Sequence, residues 1–199
     1  MIAGNIFQRK PTLRSGLLLL TFVHARMNPM LLCEATPNDI PIICALERRP
    51  EYYSLIGAWT EDEHLRSLAN PDVRYLKAED QARKVVGFAI LFGITSPHRS
   101  VELKRIVVGT PGRGLGREML RLVIRKSFNE YGAHRLWLDV FEHNMRAQRA
   151  YAAVGFRPEG MLREAVYRDG EYHSLILMSV LDHEYKCLDH DSGSAEPLR

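Results

Sequence analysis

The sequence predicts a single α/β (α+β) domain in which helices flank a mixed, mostly antiparallel central sheet. Strand patterns follow one another early in the chain, strands and helices alternate in the middle, and a hairpin pattern closes the chain. The 199 residues, 46% of them hydrophobic, suffice for one well-buried core and are too few to expect two domains. We expect the domain to span residues 30–186, between a disordered extension at 1–29 and a disordered tail at 187–199.

The first half of the chain predicts a short strand, two helices and a three-stranded meander. Residues 31–35 have the composition of a strand, and Thr36-Pro37 before apolar residues at helical spacing predicts a helix with proline in its first turn. Thr60 and Glu63 form a capping box for a second helix, which Asn70-Pro71 ends. The meander is predicted at 73–78, 85–92 and 101–108.

A glycine-rich turn follows the third strand of this meander. Gly112, Gly114 and Gly116 precede a run with apolar residues at helical spacing, and Arg113 and Arg117 add positive charge. Glycine lets the backbone approach a ligand closely, and the free amides and dipole at a helix start favour an anion. The same cluster is also typical of a plain strand-to-helix turn, and it matches neither common nucleotide-binding glycine motif.

The second half predicts one more strand and helix and then the closing hairpin. Residues 134–141, HRLWLDVF, have the pattern of a buried strand, and residues 144–151 that of the following helix. Two further strands are predicted at 162–167 and 172–181, around a turn at Asp169-Gly170.

From about residue 31 to 185, the chain resembles the GCN5-related N-acetyltransferase (GNAT) superfamily, in the branch of ribosomal-protein N-terminal and spermidine-type acetyltransferases. The motifs are I-V-V at 106–108, G-R-G-L-G-R at 112–117, N-x-R-A-x-x-x-Y-x-x-x-G-F at 144–156 and M-S-V-L at 178–181. One position departs from the family, whose loop usually begins with Arg or Gln where this chain has Pro111. Proline removes a backbone donor from that part of the loop.

The resemblance implies an enzyme that moves an acetyl group directly from acetyl-CoA to a primary amine. The acceptor would be a protein N-terminus, a polyamine or a small amine. The implied acetyl-CoA contacts are Ile106, Val107, Val108, Gly112, Arg113, Gly114, Leu115, Gly116, Arg117 and Asn144. The implied catalytic residues are Tyr151, which would protonate the leaving thiolate, and Glu102, which would accept the proton of the incoming ammonium. The acceptor side would lie between the first two helices, at 51–63.

Each of these residues also has a purely structural interpretation. A phenol is protonated at neutral pH and can donate to a thiolate, but Tyr151 also completes an apolar helix face with Ala147 and Val154. Asn144 stands where a helix N-cap belongs. Glu102 alternates with apolar neighbours on its strand, which favours a solvent-facing partner for Lys104 and leaves a water as the alternative base.

Composition argues against other classes of function. The formal net charge is +3, but residues 1–26 hold four basic residues and no acidic one, so residues 27–199 carry −1. A nearly neutral body argues against a nucleic-acid partner. Cys33, Cys44 and Cys187 are too widely spaced for a disulfide framework or a zinc motif, and we expect no metal site.

The N-terminal segment allows several interpretations. Basic residues precede an apolar run at 16–23, as in a signal peptide, but that run is far shorter than the ~20 residues that cross a membrane. We expect a cytoplasmic enzyme without a membrane partner, and residues 1–26 as an extension or as sequence upstream of the natural start. The oligomeric state is left open, with a homodimer among the possibilities. A non-catalytic acyl-CoA-binding or sensor domain is the alternative function.

Overall fold

The computed structural model describes residues 30–52, 55–110 and 114–186, and these build one seven-stranded sheet of order β1-β2-β3-β4-β5-β7-β6. All strand pairs are antiparallel except β4 with β5, which is parallel. The strands are β1 Leu31–Glu34, β2 Val73–Glu79, β3 Val85–Phe92, β4 Ser100–Val108, β5 Arg135–Phe141, β6 Arg157–Arg168 and β7 Glu171–Leu181. The predicted fold class is confirmed.

Two of the four described α-helices begin directly after the caps that the sequence predicts, at Thr60 and at Asn144. The four helices are α1 Ile40–Glu47, preceded by a 3-10 turn at Pro37–Asp39, α2 Glu61–Leu68, α3 Leu115–Asn129 and α4 Met145–Ala152. The Thr60 side chain accepts from the Glu63 amide at 3.3 Å, and the Glu63 carboxylate accepts from the Thr60 amide at 2.7 Å. Asn144 caps α4 by accepting from the Ala147 amide at 3.1 Å. These bonds satisfy donors that a helix start leaves without partners.

The closing hairpin turns where the sequence predicts, but its first strand is longer. Asp169 and Gly170 have φ values of +52° and +87°, the two left-handed residues that a type I′ turn requires. Strand β6 spans Arg157–Arg168 rather than only 162–167. It is an edge strand with exposed residues along most of its length and two register shifts against β7, so it lacks the alternation that marks a half-buried strand.

Each face of the sheet carries its own hydrophobic core. One core packs α3 against the sheet through residues such as Met119 and Val123, and Tyr151 of α4 lies at its border. The other packs α1 against the opposite face through Ile40 and Ile43. The sheet therefore separates an α3/α4 face from an α1/α2 face.

A β-bulge at Lys104 reverses the alternation of side chains in β4, so that the residues after it point to the opposite core. Leu103 pairs with Leu91 and Arg105 pairs with Ile90, so Lys104 is the extra residue. Leu103 consequently belongs to the α3/α4 core, whereas Val107 belongs to the α1/α2 core. Without the bulge, both residues would point to one face, because strand side chains alternate with a period of two.

Several expectations lie outside the described residues: the extension at 1–29, the tail at 187–199, and Pro111, Gly112 and Arg113 in the glycine-rich turn. Within the described ranges, no helix combines the length and apolarity needed to cross a membrane. The same ranges contain no cluster of three or more His, Cys, Asp or Glu side chains placed to hold a metal ion.

Candidate active site

An opening in the sheet forms because β4 and β5 separate soon after they meet. Their parallel pairing covers only Ser100 to Glu102 against Arg135 to Trp137. Beyond these residues β4 continues to Val108 along β3, while β5 continues to Phe141 along β7. A cleft of about 800 Å³ occupies the gap, lined from both faces of the sheet.

The start of α3 forms one end of this cleft. Gly114 precedes the helix with a left-handed φ of +78°, which glycine adopts without steric cost. A Cβ on Gly116 would lie 3.9 Å from the Val108 side chain, so the helix start packs closely on the end of β4. Gly114, Gly116 and Arg117 all line the cleft. Amides at a helix start together with an arginine form a suitable site for an anion such as a phosphate.

The edge of β4 that faces the opening offers backbone groups to a ligand. The Tyr52 hydroxyl donates to the Val108 carbonyl at 2.5 Å, whereas the next amide, that of Gly109, donates to Val86 on the β3 side. Val108 therefore directs its carbonyl toward the cleft, and Ile106, two residues earlier, shares that edge. An extended chain in the cleft can add to this edge as a further strand would.

Tyr151 lies on α4 and lines the cleft from the α3/α4 face. Its ring packs 5.8 Å from that of Phe156, and the side chain is half-buried. Burial and, to a lesser extent, the negative charge of Asp139 raise the pKa of Tyr151 to about 12. The phenol therefore keeps its proton throughout the neutral range and is able to donate it.

A buried polar cluster supports the opposite side of the cleft. Glu47 at the end of α1 is ion-paired with Arg105 of β4, and its carboxylate also accepts from the Trp59 amide at 2.8 Å. His64 of α2 lies 3.3 Å from Glu47 and 3.0 Å from the Tyr75 hydroxyl. Of these side chains only Arg105 reaches the cleft wall, where its guanidinium lies 4.0 Å from the Trp59 ring centroid.

The chain matches the model of the "Acetyltransferase (GNAT) family" over residues 40–156. It is 30% identical over 146 residues to an uncharacterised N-acetyltransferase of Mycobacterium bovis, a match that covers 71% of this chain and 89% of the relative. The chain belongs to the GNAT family. It is an acetyl-CoA-dependent N-acetyltransferase, as its motifs predict.

Two further likenesses concern acetyltransferases of polyamines. The chain is 27% identical over 143 residues to a spermidine N(1)-acetyltransferase of Vibrio cholerae, which covers 66% of this chain and 83% of the relative. A solved structure of a spermidine N-acetyltransferase from Vibrio cholerae in complex with CoA and spermine superimposes with a TM-score of 0.71 at 25% identity. That superposition covers 79% of this chain and 98% of the other.

Most of the site residues predicted for this GNAT enzyme line one cleft. They are Ile106, Val108, Gly114, Gly116, Arg117, Asn144 and Tyr151. Three others lie away from the cleft wall that the described residues form. The Glu102 carboxylate pairs with the Lys104 ammonium at 3.0 Å, Val107 is buried in the α1/α2 core, and Leu115 packs on the α3/α4 core. The individual roles of all these residues stay predictions.

Several charged residues of the cleft wall are not predicted from the sequence, among them Asp139, Arg105 and Arg168. Asp139 lies in the middle of β5, and an acidic residue inside the apolar run LWLDVF was the available signal. Arg105 follows Lys104, and these two consecutive charged residues interrupt the alternating pattern of β4, which is the signal that could have located the bulge. Its partner Glu47 stands 58 positions earlier and carried no local signal.

Proposed function

We propose that this enzyme transfers the acetyl group of acetyl-CoA directly to the primary amine of a small acceptor, within the opening between β4 and β5. The separation of these strands after three paired residues carries the proposal, because it creates a passage from the α3/α4 face to the α1/α2 face. Relatives named as spermidine acetyltransferases support a small amine as the acceptor.

The α3/α4 face suits the acetyl donor. The amides at the start of α3 and the Arg117 guanidinium are placed to hold the phosphates, and the open edge of β4 at Ile106 is placed to pair with the amide-containing arm. The thioester then lies beside Tyr151. The amine attacks from the α1/α2 face, so that donor and acceptor meet inside the opening.

The transfer requires one new bond, one broken bond and two proton movements. The amine nitrogen attacks the thioester carbonyl carbon, the carbon–sulfur bond breaks, and Tyr151 donates its proton to the departing sulfur. The proton released by the amine passes to a water or to a carboxylate. Asp139 lines the cleft, whereas Glu102 is paired with Lys104, so Asp139 is the better-placed carboxylate.

The direct test is acetyl transfer by the Tyr151→Phe variant. We expect kcat to fall by about 10²- to 10⁴-fold, because the packing is kept and the proton donor is lost. The apparent affinity for acetyl-CoA, measured by thermal shift, should stay as in the wild type. Tyr172→Phe, at an exposed site on β7, is the matched control and should keep full activity. Unchanged turnover in Tyr151→Phe would remove Tyr151 from the mechanism, and thermal stabilisation by acetyl-CoA without turnover of any amine would favour the sensor alternative.

The pH dependence gives an independent check. Tyr151 must be protonated to act, and its raised pKa of about 12 means that its contribution is lost only as the pH rises through that value. The free amine becomes more abundant toward its own pKa of about 10. We therefore expect kcat/KM to rise with pH and to show no falling limb below about pH 10, and a falling limb between pH 8 and 9 would contradict the assignment.

A further inference from the structure

Two arginines converge on Gly57 at the α1/α2 side of the cleft. A Cβ on Gly57 would lie 3.5 Å from Nη2 of Arg105 and 3.6 Å from Nη2 of Arg168, so these two nitrogens are no more than about 7 Å apart. Gly57 and both arginines line the cleft. Because residue 57 is glycine, no side chain from this position contacts either guanidinium group.

Arg105 is held rigidly in this position. Its Nη1 donates to the buried carboxylate of Glu47, and its guanidinium plane lies over Trp59 at 4.0 Å, while the side chain is only 7% exposed. The bulge at Lys104 turns it to this face. Arg168 comes from β6 and lies 5.1 Å from the Phe141 ring centroid. A fixed guanidinium loses little entropy when it binds a ligand, which favours recognition of an anion.

The side chains around Gly57 do not suit a polycation. Among the cleft residues that the structure describes, the acidic ones are Glu51 and Asp139. Glu51 is paired with Arg49 at 2.9 Å, and the negative charge of Asp139 lies close enough to Tyr151 to raise the pKa of its hydroxyl. Two guanidinium groups therefore flank Gly57. Because Glu47 balances the charge of Arg105, what this wall offers a ligand is N–H donors, which suit an anion better than the ammonium groups of a polyamine.

We infer that the acceptor is a primary amine that also bears a carboxylate, bound by Arg105 and Arg168 across Gly57. The inference rests on the proposed function and adds to it a second functional group of the acceptor, the carboxylate. Charge-assisted hydrogen bonds of about 2.8 Å on either side allow one carboxylate to bridge two nitrogens at this separation. The amine then faces the opening between β4 and β5, where the acetyl group arrives.

The test compares matched acceptors with acetyl-CoA. Amino acids that carry either an α- or an ω-amine are each assayed beside their methyl ester and beside the diamine of equal length. Peptides with an acidic second residue are assayed beside peptides in which that acidic side chain is replaced by its amide. We expect kcat/KM for the free carboxylate to exceed that for the ester by about 10-fold or more. The peptide arm separates a free amino acid from a peptide N-terminus as the source of the carboxylate.

Two variants locate the effect in the protein. Arg168→Gln removes one of the two charges, and Gly57→Ala places a methyl group between them, so each should reduce the carboxylate-to-ester ratio by about 10-fold. Arg163→Gln, an exposed arginine on the same strand, is the control and should keep the ratio. If Arg168→Gln does not fold, Gly57→Ala still provides the test.

Different outcomes separate the two proposals. An ester or a diamine that matches or exceeds the free carboxylate in the wild type would overturn the inference and leave the proposed function standing. A ratio that survives in the folded variants would overturn the role of these residues. If no amine is acetylated at all, the proposed function fails and the inference falls with it.

Discussion

The two sides of the cleft present different chemical groups to a ligand. The α3/α4 side combines backbone groups, namely the amides at the start of α3 and the open edge of β4, with the side chains of Arg117 and Tyr151. The α1/α2 side offers side chains that a buried charged cluster around Glu47 holds in place. Backbone geometry serves one constant ligand, whereas side chains can be exchanged to suit different acceptors. We therefore expect the two sides to respond differently to substitution.

The largest expected effect of substitution on stability is on the α1/α2 side. Glu47→Ala leaves the buried Arg105 guanidinium without its partner, and we expect a loss of about 3–5 kcal/mol in the free energy of unfolding, measured in urea. The comparable variant Glu51→Ala removes a pair between side chains that are 43% and 36% exposed, and it should have a far smaller effect on stability because solvent screens such a pair. Equal losses would show that the cluster does not support this side of the cleft.

A smaller effect is expected at the start of α4. Asn144→Ala removes the side-chain acceptor for the Ala147 amide and should lower stability by about 1 kcal/mol, whereas Asn144→Ser keeps a cap and should preserve most of it. Chemical denaturation measures both. The Ser variant also sharpens the comparison: a markedly raised KM for acetyl-CoA with stability retained would show that the Asn144 amide itself contacts the donor.

The smallest effect is expected at Glu102. Its carboxylate pairs with Lys104 and does not line the cleft that the described residues form, so Glu102→Gln should change kcat by less than about 3-fold. Asp139→Asn is the informative counterpart, with a larger fall in kcat/KM expected at neutral pH. The opposite ranking, with Glu102→Gln losing most of the activity, would support Glu102 as the base and exclude Asp139 from that role.

The same contrast explains how far the sequence predicts the site. Local turns and helix starts set the spacing of the short motifs, so the sequence alone predicts the site residues that belong to them. These residues are Gly114, Gly116, Arg117, Asn144 and Tyr151. The convergence of Arg105 and Arg168 depends on a bulge, on a partner 58 positions away and on the arrival of β6 beside Gly57. The distant partner and the position of β6 result from tertiary packing, which no local pattern encodes.

The sheet itself follows the same rule. Strands β2, β3 and β5 show the apolar patterns of buried strands, and the sequence predicts their ends to within one or two residues. The exposed edge strand β6 was predicted at half its length, because a strand that buries neither face has no reason to alternate.

The central claim is that acetyl-CoA binds along the open edge of β4 and the start of α3, and amide hydrogen exchange with and without acetyl-CoA tests it most directly. We predict that acetyl-CoA slows exchange at Ile106, Leu115 and Gly116, and that β1 and β2, on the far edge of the sheet, exchange as before. Protection confined to the β6–β7 hairpin, with none at Ile106 or the start of α3, would contradict the claim.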